Sequence, residues 1–266
     1  MMGVLSLEQF WQSQARRLLA YPSDDEATLA HRWSELKGLG LESIYSDGPQ
    51  TLAGLGILGL GYCGIVLRVR HQGQNRVLKI CRNSASQTSL HREATMLMRA
   101  NAVAVGPQYI NHSDNFLLMD YIDGPTLVDW LQRAPSAEIV YGLVRSLIHQ
   151  AYRLDQTGLD HGDLRCITSH ALLQSLEPVL IDFSKASLDR RPANVTTLVQ
   201  GLFISTRLTQ LLQPWFPQVN KSNLIRHLRR YKFQPSLTNV NQLLNYLALC
   251  KLDVVLKTSK NSIDIY

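Results

Sequence analysis

Two aspartates stand about twenty residues apart, each just after an apolar segment. Asp163 lies in His161-Gly162-Asp163-Leu164, downstream of Leu154–Leu159, and Asp182 closes Pro178-Val179-Leu180-Ile181-Asp182-Phe183-Ser184. Carboxylates placed so sit at the mouths of rigid elements. One can accept a proton from a hydroxyl while the other holds a metal ion against a nucleotide phosphate, the division of labour of phosphoryl transfer. Three further features precede them in order. They are the glycine-rich turn Gly59-Leu60-Gly61-Tyr62-Cys63-Gly64-Ile65-Val66, a lysine in the apolar run Val77-Leu78-Lys79-Ile80, and a glutamate in His91-Arg92-Glu93-Ala94.

Each residue type suits a part of that chemistry. Gly59, Gly61 and Gly64 let the backbone approach phosphates and donate N–H groups without a Cβ in the way; glycines alone would equally mark a hairpin bulge. A lone lysine in an apolar strand normally snorkels to an edge. Lys79 follows the turn at the spacing of a hairpin return, so the expectation is that it points towards α- and β-phosphates and is oriented by Glu93. Asp163 is the candidate base for the acceptor hydroxyl; the plainer alternative is an aspartate capping its own turn. His161 is expected to be structural, bonding backbone near Asp182. Asp182, at the end of an apolar strand, would be a costly buried charge, which a magnesium ion resolves.

The elements that must position these groups read as strands first and helices second. Residues 1–20 read as an amphipathic helix with Trp11, Leu18 and Leu19 on one side. Ser23-Asp24-Asp25-Glu26 starts another that runs to about Lys37, and Gly38 and Gly40 end it. Strands are expected at 57–61, 65–70, around Lys79, at 108–110 and at 116–120, with the Glu93 helix between. After Asp120-Tyr121-Ile122-Asp123-Gly124-Pro125, helices are expected from Thr126 and from Pro135-Ser136. A hairpin around Leu172 and Val179 follows, then helices near 195–207, 223–231 and 240–256. The sum is an α+β protein of bilobal architecture, with a small antiparallel-sheet N-lobe, a helical C-lobe and the nucleotide cleft between the lobes. Expected boundaries are 1–50 for a helical N-terminal extension, 51–121 for the N-lobe and 122–266 for the C-lobe with its basic helices.

An apolar share of 45% and a charged share of 18% are those of a soluble globular chain. There is no run of 18 apolar residues and no secretory leader pattern, so a cytoplasmic, non-membrane location is expected. Cys63, Cys81, Cys166 and Cys250 show no paired spacing, which argues against a zinc site or a disulfide framework. The net charge of +6 is uneven: residues 1–160 hold 14 Lys/Arg against 15 Asp/Glu, and 161–266 hold 13 against 6. In Ile225-Arg226-His227-Leu228-Arg229-Arg230-Tyr231-Lys232, Arg226, Arg229 and Arg230 share one helical face. That face is either solvated surface or a footprint for RNA or an acidic partner.

The order glycine loop, strand lysine, helix glutamate, loop aspartate, strand-end aspartate resembles the protein-kinase order. More narrowly, the chain resembles the RIO-like atypical kinases, in the group of small predicted serine/threonine kinases of archaea and bacteria. The likeness runs from about residue 35 to 205. It rests on Glu35-Leu36-Lys37, residues 58–66, Leu78-Lys79-Ile80-Cys81-Arg82, Arg92-Glu93-Ala94 and Val105-Gly106-Pro107. It continues through Phe116–Gly124, His161-Gly162-Asp163-Leu164, Ile181-Asp182-Phe183-Ser184-Lys185-Ala186 and Asn194-Val195-Thr196. The resemblance implies a protein-kinase-like fold and ATP with Mg²⁺ or Mn²⁺. Adenine would bind at the backbone around Asp120 to Ile122, behind Met119, with Val66 after the glycine loop and Lys79 and Glu93 on the phosphate side. Three departures qualify it. The Asn that serves as second metal ligand falls on Thr168 by count, or on His170 if the loop is two residues longer. Gly162 replaces the usual Arg, so no cation is expected there for a phosphorylated activation loop. Ser184 replaces Gly, and no Ala-Pro-Glu platform follows. The expected function is therefore ATP-dependent serine/threonine transfer to a specific folded protein or to the chain itself. The rivals are a nucleotide-binding regulatory module or ATPase, and a small-molecule kinase. Cationic small molecules would call for acids where this chain is basic.

Overall fold

The strand pair that carries Lys79 is the middle of an antiparallel sheet. The computed structural model describes residues 3–83, 88–204 and 207–249. Its strands β1 to β9 are Gly3–Ser6, Leu41–Ser46, Gln50–Leu52, Leu55–Ile57, Gly59–Leu60, Gly64–His71, Gln74–Cys81, Tyr109–His112 and Phe116–Asp120. Their order in the sheet is β1-β2-β6-β7-β9-β8, with β5 also paired to β6 and β3-β4 a separate hairpin. β6 and β7 join through Gln72 and Gly73, both at positive φ, the two-residue turn that matches strand twist. Along β6, Ile65, Leu67 and Val69 are buried in strict alternation. They pack with Leu78 and Ile80 of β7, Ile44, Phe116 and Leu118, and with Phe10, Leu18, Leu29 and Leu36 from the helical segments before them. The opposite face of β7 meets helix α3 (Thr88–Asn101), where Cys81 and Leu117 cluster with Leu90 and Ala94. Helices α1 (Leu7–Gln12) and α2 (Glu26–Gly38) complete this unit, residues 1–102 with 107–121.

The segment before residue 51 differs from the helical extension expected of it. β1 pairs with β2 and β2 with β6, so both belong to the sheet. Residues 1–20 are not one helix either, because two serines interrupt it. Ser6 caps α1 reciprocally with Gln9, and Ser13, in extended conformation, accepts from Ala15 N–H and starts the 3-10 turn Gln14–Leu19. Short hydroxyl side chains offer the backbone these alternatives to a continuous helix.

The second unit, residues 103–106 with 122–266, is helical around one hairpin. α4 (Leu127–Leu131) is capped by Thr126, and α5 (Ala137–Gln156) buries Val140, Leu143, Val144, Leu147, Ile148, Ala151 and Leu154. That stripe at helical spacing packs on α7 (Asn194–Phe203). Between them come α6 (Ile167–His170) and the hairpin β10 (Ala171–Gln174) and β11 (Glu177–Leu180). α8 (Arg207–Leu212), α9 (Lys221–Phe233) and α10 (Leu237–Tyr246) follow. α10 ends earlier than expected, with Ala248 at positive φ, and residues 250–256 of the expected helix lie outside the described residues. The α+β class, with an antiparallel sheet first and helices second, is as expected. Among the described residues no helix is long and apolar enough to cross a membrane.

Candidate active site

In the first unit, β-strand alternation decides where Lys79 goes. Leu78 and Ile80 face the main core, so Lys79 and Cys81 face α3. There Lys79 Nζ donates to Glu93 Oε1 at 2.7 Å, both side chains being almost wholly buried (7% and 2% exposed). The lysine therefore does not snorkel to an edge. Val66 stands opposite Lys79 in the β6-β7 register. Gly64 is needed for a reason the sequence did not disclose. A Cβ there would lie 2.8 Å from the Ile80 carbonyl oxygen and 3.1 Å from Lys79 Cγ, so the glycine makes room first for that carbonyl and then for the lysine stem. Among the described residues a Cβ on Gly59 would meet nothing within 4 Å, and one on Gly61 only the Gly64 carbonyl oxygen at 3.7 Å. The turn is closed by Gly61 N–H donating to that oxygen at 2.8 Å. At the far end of the sheet Met119 pairs with Val77, and Asp120 pairs with Arg76 in register and as an ion pair. The Asp120 N–H is donated to the Gln108 carbonyl at 2.9 Å. Ile122, buried, opens the second unit.

In the second unit, three elements converge. Gly158 (positive φ) follows the end of α5, and the chain then pairs Asp160 with Ser187 through two backbone hydrogen bonds of 2.9 and 2.8 Å. His161 is fully buried, and its Nε2 donates to the Ile181 carbonyl at 3.2 Å. The carbonyl can only accept, which fixes the tautomer. Burial holds this imidazole down at about 4, neutral at physiological pH. Register Ala171↔Leu180 in the β10-β11 hairpin sets His170 beside Ile181, and Asp182 follows in the left-handed region at φ 65°. His170 Nε2 then lies 3.6 Å from Asp163 Oδ2 and 3.7 Å from Asp182 Oδ2, while its Nδ1 donates to the Cys166 carbonyl at 2.8 Å. Burial opposes charge on His170, but Asp182 and Asp163 outweigh it and hold its pKa above the ordinary value. Thr168, the alternative by count, makes no hydrogen bond to either carboxylate.

Several groups at this site carried no role in the sequence reading. Lys185 Nζ donates to Asp163 Oδ2 at 2.6 Å. Burial resists ionisation of Asp163, but Lys185 and His170 prevail and its carboxyl titrates below the usual range. Gly162, at φ 85°, leaves a space that Arg190 fills: a Cβ there would stand 2.5 Å from Arg190 Nη2 and 2.5 Å from the Lys185 carbonyl oxygen. Arg190 bonds Asp160 Oδ2 through Nε at 2.8 Å and the Lys185 carbonyl through Nη2 at 2.5 Å. A cation does lie over position 162, then, but an internal carboxylate holds it. Beneath the loop, Asn194 is not a helix cap. Its Oδ1 accepts from His161 N–H at 2.8 Å and its Nδ2 donates to the Leu159 carbonyl and to Asp155 Oδ1. Asp155 also accepts from Tyr231 OH of α9 at 2.7 Å. Lys185 and Asn194 stand in stretches that carry the family resemblance, whereas Arg190 and Asp155 lie in polar stretches without a sequence signal.

A family model described as RIO domain matches residues 67–200, half of the chain, from β6 to the middle of α7. The chain belongs to the RIO family. No curated protein matches it. The RIO match contains Lys79, Glu93, Asp163, His170 and Asp182, while the glycine turn 59–64 and helix α9 lie outside it. RIO proteins are kinase-like, of the atypical protein-kinase class.

Proposed function

We propose that this RIO domain transfers the γ-phosphoryl group of ATP to a serine or threonine hydroxyl of a partner protein or of the chain itself. The observation that carries the reading is the meeting of Asp163, His170 and Asp182 on one side of the β10-β11 hairpin, with an exposed lysine on Asp163. Asp163 is the base that receives the hydroxyl proton. The Lys79–Glu93 pair is the second support, because a buried, fixed ammonium is what the α- and β-phosphates need.

The donor set fits a divalent cation. Two carboxylates flank an imidazole Nε2 whose ring is fixed by the Cys166 carbonyl, as outer partners fix metal-binding histidines. Asp182 and His170 would hold the ion, and it would neutralise charge on the β- and γ-phosphates. Among the described residues no three His, Cys, Asp or Glu side chains stand at liganding distance together. A pair of protein ligands completed by phosphate and water is the usual arrangement for Mg²⁺ in nucleotide sites. For adenine, the Asp120 N–H is already bonded to Gln108, which leaves the Asp120 carbonyl and the Ile122 N–H as the backbone groups to use. The space at Gly59 suits a close approach of phosphate to the backbone, whereas the Gly61 N–H is already donated to the Gly64 carbonyl. RNA or an acidic protein surface is the proposed partner for Arg226, Arg229 and Arg230.

Incubation with γ-labelled ATP and Mg²⁺ or Mn²⁺ tests the proposal. Label on the protein or on an acceptor protein, abolished by Asp182→Asn without loss of fold, is the expected result. Free phosphate alone would make the domain an ATPase, and no turnover with either metal overturns the reading.

A further inference from the structure

Lys185 sits on the proposed base, and among the described residues Asp163 is its one side-chain partner. Its side chain is 64% exposed, and an exposed ion pair contributes only about 0–1 kcal/mol of stability. An ammonium bound to a carboxylate also makes that carboxylate a poorer proton acceptor. Its backbone, by contrast, is tightly held. The Lys185 carbonyl accepts from Arg190 Nη2 at 2.5 Å, Arg190 is bonded to Asp160, and Ala186 N–H donates to the Phe183 carbonyl at 3.0 Å. The fixed Cα and the 2.6 Å bond to Asp163 together hold the ammonium beside that carboxylate. Only one of the three N–H groups of Lys185 is engaged within the described residues, with Asp163 Oδ2.

Resting on the kinase reading above, we infer that Lys185 is a catalytic residue whose ammonium stays on Asp163 and donates to the oxygens of the phosphoryl group in transit. The acceptor hydroxyl must hydrogen-bond the same carboxylate, through Oδ1, to lose its proton. The phosphorus that bonds to that hydroxyl oxygen is therefore brought beside Nζ. In transfer the acceptor O–P bond forms, and the bond from Pγ to the β,γ-bridging oxygen breaks. ADP leaves with that electron pair, and the hydroxyl proton passes to Asp163. The transition state is loose, with charge spread over three equatorial oxygens and little demand on the base. A cation at this point lowers the barrier more than it weakens the base. Lys185 thus supplies, from the segment after Asp182, a positive charge that neither His161 (buried and neutral) nor Gly162 brings to the loop.

The test is steady-state kinetics of full-length wild type, Lys185→Met and Lys185→Arg, with thermal melting and binding of a fluorescent ATP analogue to each. Removing one preorganised donor to transition-state charge lowers kcat by about 100-fold. Lys185→Met should show a loss of that size with nucleotide affinity and melting unchanged, and Lys185→Arg should recover part of it. Unchanged or raised kcat in Lys185→Met, or a loss that follows melting or nucleotide affinity, overturns the inference while leaving the kinase reading intact. Wild type without ATP turnover overturns both.

Discussion

At the scale of single residues, His170 and His161 show how placement divides two similar side chains. His170 has one nitrogen fixed by a carbonyl and the other facing two carboxylates. An imidazole ligand favours Mn²⁺ over Mg²⁺, whose preference is for oxygen. His170→Asn should therefore lower the ratio of Mn²⁺- to Mg²⁺-supported turnover several-fold, read from metal titrations; an unchanged ratio would remove His170 from the ligand set. His161 is buried and neutral. Its folded pKa of about 4 lies below the ordinary 6.5, so between these values the unfolded chain binds a proton that the folded chain does not. Stability is then full above pH 6.5 and falls as pH drops towards 4, by about 2 kcal/mol at pH 5. Denaturant unfolding at pH 7.5 and 5 should show that difference in wild type, and His161→Asn should lack it.

At the scale of elements, α7 is the platform of the loop that carries Asp163. Asn194, at its first turn, holds His161 N–H and the Leu159 carbonyl, and Asp155 at the end of α5 holds Asn194 in turn. The unit is closed, with each buried donor matched to an acceptor. Asn194→Ala leaves several of these groups buried without partners, at about 1–3 kcal/mol each. The expected result is a loss of about 3 kcal/mol in denaturant unfolding together with faster amide exchange at His161. Asn194→Asp should be at least as damaging, because it sets a second carboxylate against Asp155; a mild effect of that change would show that the network is not what holds the loop.

For the molecule as a whole, charge is the relevant property. Residues 161–266 carry 13 Lys/Arg against 6 Asp/Glu, and α9 has no acid. Arg226, Arg229 and Arg230 are exposed while Leu224, Leu228 and Tyr231 are buried, so the basic face is presented outward. Replacing the three arginines with Gln should leave unfolding within about 0.5 kcal/mol per site. It should flatten the salt dependence of single-stranded RNA binding by a slope of about 2, from roughly 0.7 per phosphate lost. Fluorescence anisotropy against salt reads this. Absence of RNA or acidic-peptide binding by wild type at low salt would leave the face as solvated surface.

From about residue 57 onward the sequence by itself determined the order of strands and helices, and it placed the residue types proposed to act on phosphate. Periodicity of apolar residues is local, and Gly59 to Val66, Lys79, Asp163 and Asp182 are legible as types at spacings. It also determined that Arg226, Arg229 and Arg230 share one face of α9, from helical spacing. What it did not determine was everything that depends on contact between distant segments. That β1 and β2 join the sheet depends on pairing across the chain. Gly64 is required by the Ile80 carbonyl on the neighbouring strand, with the stem of Lys79 crowding the same space. Hairpin register, not counting along the chain, selects His170 over Thr168 as the neighbour of both aspartates. Arg190 over Gly162, Asn194 beneath His161 and Lys185 on Asp163 are meetings of residues about 20 to 35 positions apart. Local pattern carries no record of such meetings, because side-chain hydrogen bonds and ion pairs form only after the backbone has brought their partners together.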